Sequence, residues 1–302
     1  MTTLRTPADL KQIMGIDFSD QQVDAITAPL APGVIVAGAG SGKTTVMAAR
    51  VVWLVGTGAV RADQVLGLTF TNKAAAELAH RVRDFLATAG LLRKPGDPAT
   101  DEDELAEPTV LTYHAYAARL LTEHGLRIGH EPDTAVIADA SRYQLAARVI
   151  RSHERPIEHL TTWMPTNVNG LLHLDGQLSE HLVTTDDVRG FHAQEIERWQ
   201  QAKQTADTRK AVLAIQQRGE LLGLVDDYQA LKHRLGVMDF SDQMALGAQL
   251  ADTRGEVGAF ERSQFAVVLL DEYQDTSVAQ ARLLTALFSG TDTYDGLGHP
   301  VT

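Results

Sequence analysis

The nine residues AGAGSGKTT, Ala37–Thr45, restrict this chain more than any others. Gly38, Gly40 and Gly42 carry no side chain, so the backbone there can turn its N–H groups inward. An apolar run, GVIVAG from Gly33, leads into the stretch, and a helical pattern over Lys43–Val55 leads out of it. A strand, a glycine-rich turn and a helix N-terminus in that order form a cradle for phosphate oxygens. In such a cradle Lys43 reaches the β and γ phosphates and Thr44 offers its hydroxyl to Mg²⁺. Ala37, Ala39, Ser41 and Thr45 complete the loop. Ala37 stands where a glycine is more usual, and a small residue is compatible with the turn. The bland alternative is a glycine-rich turn with a chance lysine, and the flanking strand and helix patterns argue against it.

A phosphate loop implies an α/β domain, and the rest of the chain supplies one. QVLGLTF from Gln64, TVLTYH from Thr109 and FAVVLLDE from Phe265 are further apolar runs without strict alternation, as in parallel strands covered on both faces. Helical patterns follow them at Asn72–Ala87, Ala115–His124 and Val278–Leu287. Strand then helix, repeated, predicts a mostly parallel sheet. Between the third and fourth runs the character changes. SRYQLAARVIRSH, which Asp139 or Ser141 could cap, DDVRGFHAQEIERWQQAKQ and RKAVLAIQQRGELLGLVDDYQALKHRL are helical, with Pro156 and Pro165 interrupting. The organisation expected is an α/β domain over 1–125, an inserted helical domain over 126–235, and a return to the first domain over 236–302. Arg93–Pro108, rich in proline and acid, is expected to be a solvated loop. Trp163 and Trp199, at helical spacing among apolar neighbours, are expected in the core.

Composition narrows the function classes. The 302 residues include no cysteine, which excludes disulfides and thiolate chemistry and points to a reducing cytoplasm. No apolar run reaches the ~20 residues of a membrane span. A net charge of −12 argues against a generic DNA-coating protein, though a local basic groove is compatible with it. HERPIEH, His153–His159, lacks the second histidine of a zinc helix and is broken by Pro156.

The fourth apolar run ends in Asp271 and Glu272. Beside a phosphate loop, a carboxylate pair at a strand end supplies Mg²⁺ binding (Asp271) and a base for the attacking water (Glu272). A strand that merely ends in surface acids is the alternative when the pair is taken alone.

LTFTNKAAAELAHRV (Leu68–Val82) and DEYQDTS (Asp271–Ser277) resemble the UvrD/PcrA/Rep branch of superfamily 1 DNA helicases. FSDQQVDAI (Phe18–Ile26), TYHAYAARLL (Thr112–Leu121) and MDFSDQM (Met238–Met244) resemble other segments of that branch, in the same order. The resemblance implies a RecA-like P-loop NTPase domain with a mostly helical insertion, ATP and Mg²⁺ as ligands, and single-stranded DNA or DNA junctions as partner. It implies that Gln22 grips the adenine edge and that Gln274 is a catalytic residue which, with Asp275, links nucleotide state to the domain that follows. It gives Phe70, Thr71, Asn72, Lys73, Tyr113 and His114 a DNA-facing role, a ring beside polar groups being what single-strand binding requires. TYHAYAARL and MDFSDQM further resemble actinobacterial AdnB-type helicase–nuclease motor subunits, which implies a second subunit as partner. A stand-alone repair helicase fragment, or a P-loop switch that does not translocate, are the other readings. The resemblance also implies that a second motor domain follows Thr302, and that this chain alone turns over little ATP.

Overall fold

Three of the four apolar runs become neighbouring strands in the computed structural model, which describes residues 4–38, 40–92, 107–201, 203 and 205–289. In chain order the elements are α1 (Pro7–Met14), α2 (Asp20–Thr27), α3 (Lys43–Gly56), β1 (Val65–Thr69), α4 (Asn72–Thr88), β2 (Thr109–Thr112) and α5 (Tyr113–His124). There follow β3 (Ala135–Val136), α6 (Asp139–Ser152), α7 (Met164–His181), α8 (Thr185–Gln201) and α9 (Ala206–Leu235). The last are β4 (Val237–Met238), α10 (Phe240–Thr253), α11 (Gly255–Gln264), β5 (Val267–Leu270) and α12 (Val278–Phe288).

The chain forms two compact units. The first takes in the described residues up to Tyr116, then Ala251–Thr276 and the stretch from Arg282. Its sheet has the order β2-β1-β5, all parallel. Gly67 in the middle strand faces Val110 on one side and Leu269 on the other. Every residue of β1 is buried, which accounts for its continuous apolar sequence. Leu10 of α1, Ile26 of α2, Val46 and Val52 of α3, and Leu78 and Leu86 of α4 share one core with Val267 and Leu269 of β5. The parallel α/β arrangement is therefore as the sequence predicts.

The first apolar run departs from expectation. Gly33–Gly38 forms neither strand nor helix, and Val34 and Val36 are 84% and 92% exposed. A strand requires a neighbour to take its N–H and C=O groups, and among the described residues no strand lies beside this run. Apolar composition alone did not guarantee pairing.

The second unit takes in Ala117–Leu250 and Ser277–Ala281. Residues 126–235, expected as an inserted helical domain, lie within it. Ala146 and Val149 of α6, Leu171 and Leu178 of α7, and Leu222, Val225 and Tyr228 of α9 form its core. Helix α7 is not evident from the sequence, where Pro165 reads as an interruption; in the fold Pro165 occupies the first turn, where its missing N–H is unneeded. Asp139 is the first residue of α6 and not a cap, and Ala138 at the cap position makes no side-chain bond. Trp163 is a second correction. It stands at the N-cap of α7, outside the apolar stripe, and is 67% exposed. Trp199 is half-buried and donates its indole N–H to Glu195 at 3.1 Å. The two-residue strands β3 and β4 pair in parallel. Lys232 of α9 is buried against Asp175 of α7 at 2.9 Å and Asp239 and Asp242 of the MDFSDQM segment at 3.3 and 2.7 Å. Burial alone would depress the Lys232 ammonium, but the three carboxylates outweigh it and hold it above its ordinary value. Of the predicted loop Arg93–Pro108, residues 93–106 lie outside the described residues, as does the tail from 290.

Candidate nucleotide site

Gly40 and Gly42 adopt φ of +76° and +85°, a region that a residue with a Cβ avoids. This is why the loop needs glycine at those positions. Ser41 turns back on the loop, its hydroxyl donating to the Gly38 carbonyl at 2.7 Å. Gly42 then caps α3, and its carbonyl accepts from the Val46 N–H at 2.9 Å. The first amides of α3 remain available at the helix's positive end. Lys43 and Thr44 are half-buried at that end. Thr45 accepts a hydrogen bond from Arg81 of α4 at 2.8 Å, which turns it into a brace for the loop. Ala39 lies outside the described residues.

Strand β5 delivers the carboxylates to the same place. The Asp271 N–H donates to Leu68 O at 3.0 Å, so the strand ladder runs right up to the acid pair. Glu272 Oε1 lies 3.7 Å from Lys43 Nζ, bringing the two motifs together. Asp271 is buried, and the Glu272 N–H donates to its Oδ1 at 3.1 Å. Burial pushes the Asp271 carboxyl up from its ordinary range, the neighbouring Glu272 adds to this, and the Glu272 N–H and Lys43 oppose it. A buried carboxylate beside a second one favours a cation. Glu272 itself sits at φ +50°, ψ +39°, a conformation that a non-glycine residue seldom takes. Strain of this kind collects at functional sites. Gln274 donates to the Glu272 carboxylate and to Asp275.

Gln22 does not present a free amide to this site. Its Nε2 donates to Ser41 O at 3.0 Å and its Oε1 accepts from the Ser19 N–H at 2.9 Å, closing a capping box. In this state it braces the phosphate loop from α2.

The second set of predicted residues gathers at the C-terminal ends of β1 and β2, where open α/β sheets bind ligands. Phe70 is half-buried, and Thr71, Asn72 and Lys73 are exposed. Thr71 caps α4, its hydroxyl accepting from the Ala74 N–H at 3.1 Å. Lys73 is paired only loosely, with Glu77 at 3.9 Å. Tyr113 is the exception to the sequence expectation. It is 1% exposed and packs its ring 5.0 Å from that of Phe70. Tyr113 therefore backs Phe70 and does not itself offer a stacking face. Its hydroxyl, and that of Thr276, are buried without a well-formed hydrogen bond, although Thr276 is near enough to oppose the rise of the phenol. Burial takes that phenol up to about 12. His114 is half-buried at the start of α5.

Residues 18–295 match the UvrD/REP helicase N-terminal domain. The chain belongs to that family. Similar curated proteins include DNA helicase II of Haemophilus influenzae, 25% identical over 274 residues, which takes in 91% of this chain and 32% of the relative. DNA helicase II of Escherichia coli is 24% identical over the same length, with the same shares. ATP-dependent DNA helicase UvrD2 of Mycobacterium bovis is 29% identical over 299 residues, 95% of this chain and 36% of the relative. The chain thus spans about a third of the length of these relatives.

Two residues of this UvrD/REP-family site gave no signal in the sequence. Arg50, inside the apolar pattern of α3, is buried and donates to the carbonyls of Ala25, Ile26, Ala28 and Pro29 at 2.9–3.2 Å. It fixes the C-terminal end of α2, and with it Gln22, to the phosphate-loop helix, and its cation suits the negative end of α2. Arg81 reaches Thr45 from α4. An isolated arginine on a helix looks like surface charge until the carbonyls around it are known.

Proposed function

We propose that this chain is the N-terminal, nucleotide-binding part of an ATP-dependent DNA helicase. The observation that carries the reading is the approach of Lys43 to Glu272. Two motifs far apart in sequence meet where one can hold phosphate and the other can act on water. The residues suit a magnesium nucleotide. The glycine-lined turn 37–45 and the α3 N-terminus would hold the phosphates, Lys43 their charge, and Thr44 and the buried Asp271 the Mg²⁺. The metal would supply charge neutralisation at the phosphates. Glu272 is the group placed to orient water and take its proton, with Gln274 holding its carboxylate in position. Gln22 would release Ser41 to meet an adenine edge. Phe70, backed by Tyr113, with Asn72 and Lys73, would form the DNA face, and His114 its border.

The domain plan of the sequence analysis belongs with this proposal: residues 1–125 and 236–302 as the motor domain, and 126–235 as its insertion. The segments TYHAYAARL and MDFSDQM support a finer reading. The protein would be the 3′-to-5′ motor of a helicase–nuclease in DNA repair or recombination, working in the cytoplasm with a second subunit. In the full-length protein, Glu272→Gln retains ATP binding and lowers hydrolysis by at least about a hundredfold, the scale of a lost general base. Unchanged turnover in that variant would remove Glu272 from the reaction.

A further inference from the structure

The segment that joins α6 to α7 is held against α9 by a clamp that the nucleotide site does not use. Glu220 of α9 accepts from the backbone N–H groups of Glu158, His159 and Leu160 at 2.9–3.1 Å. Gln217 donates to His159 O at 3.0 Å, and His153 pairs with Asp227 at 2.6 Å. These contacts fix both ends of the segment and leave a cleft of about 300 Å³ between it and α9. The floor is unusual. Gly219 and Gly223 stand one turn apart inside α9, where each glycine costs ~1 kcal/mol relative to alanine. A Cβ at Gly219 would meet nothing within 4 Å, and one at Gly223 would meet only the Arg155 guanidinium at 3.7 Å. With no side chain at either position, the helix surface beneath that guanidinium is bare.

Arg155 and His159 bring hydrogen-bond donors to the lining, beside the Glu220 carboxylate. Arg155 has no ion pair or hydrogen bond among the described residues, and the His159 ring has no hydrogen bond there. The acids nearby have partners of their own: against burial, three backbone N–H groups and the neighbouring His159 hold the Glu220 carboxyl below the ordinary range, so it stays ionised at the edge of the cleft, and Asp227 pairs with His153. A planar guanidinium with free donors over a bare helix turn fits a phosphate group. The same segment ends at the exposed Trp163, an aromatic face of the kind on which bases stack.

We propose that Arg155 and His159 bind a phosphate oxyanion over Gly219 and Gly223, the source being a nucleic-acid backbone. The source rests on the DNA reading above, but the oxyanion site does not. The test follows the His159 ring resonance in the whole chain, assigned with His159→Gln, during separate titrations with inorganic phosphate and a single-stranded oligonucleotide. Both move it in the parent. Arg155→Gln weakens both responses roughly tenfold, the scale of one charged hydrogen bond. It also makes the salt dependence of oligonucleotide binding shallower by about one ion. Gly219→Leu keeps every charge, fills the cleft and has the same effect, so a folding defect in one variant cannot imitate the result. Phosphate that leaves His159 unmoved, or variants that titrate like the parent, would overturn the site. An oligonucleotide that fails to bind while phosphate still moves His159 supports the site and counts against the DNA source alone.

Discussion

At the scale of single residues, the site holds two carboxylates under different stresses. Asp271 is electrostatically uncomfortable: its folded-state carboxyl is raised, chiefly by burial and then by Glu272. A raised acid favours folding when protonated, so its contribution is present below the ordinary Asp range and is lost as pH rises through the raised value. Asp271→Asn removes that loss while keeping an oxygen for the Glu272 N–H. The variant is therefore more thermally stable than the parent at pH 7 without nucleotide, and the difference shrinks as pH falls toward the ordinary Asp range. Melting curves across that window, repeated with Mg²⁺ and nucleotide, check it, since the parent alone gains from the metal. Phe70 and Tyr113 divide their work by exposure. Phe70→Ala weakens single-strand binding by about 1–3 kcal/mol, the range of one stacked base. Tyr113→Phe, which removes only a buried hydroxyl, leaves that binding unchanged in a fluorescence titration.

At the scale of elements, the glycine turn and α3 are formed while the run before them is in no strand. Amides 34–36 are thus expected to exchange hydrogen within the dead time of a manual experiment, whereas amides 66–69 of β1 are protected by the ladder. Protection at Val34 and Val36 would show that the run pairs in solution. The same contrast marks what the sequence could reveal. Helices α3, α4, α5 and α12 and the three paired strands were legible because period and apolar run length follow directly from burial. The pairing of Gly33–Gly38 was not, because a strand is a property of two segments and a pattern describes one. Helix α7 was hidden by Pro165, whose meaning depends on whether it falls in the first turn. Lys43, Asp271 and Glu272 were legible from motif chemistry. Arg50, Arg81 and the burial of Tyr113 were not, since each depends on what a distant segment brings alongside.

At the scale of the whole molecule, each unit has its own core. The residues that could touch a nucleotide lie in the first, and the phosphate cleft lies in the second. The first unit brings together the glycine turn, Lys43 and the Asp271–Glu272 pair, which in the proposed reading form one side of a nucleotide site. Arginines that stabilise transferring phosphate from a partner surface accelerate related reactions by about 10³–10⁵, and the chain covers a third of its relatives' length. We therefore expect this chain to bind magnesium nucleotide weakly and to turn it over negligibly, with or without DNA. The most direct test is a calorimetric titration of MgATP into the 302-residue chain and into Lys43→Ala. The account predicts binding that requires Mg²⁺ and is lost in the variant. Equal binding by both chains, or binding indifferent to Mg²⁺, would contradict it.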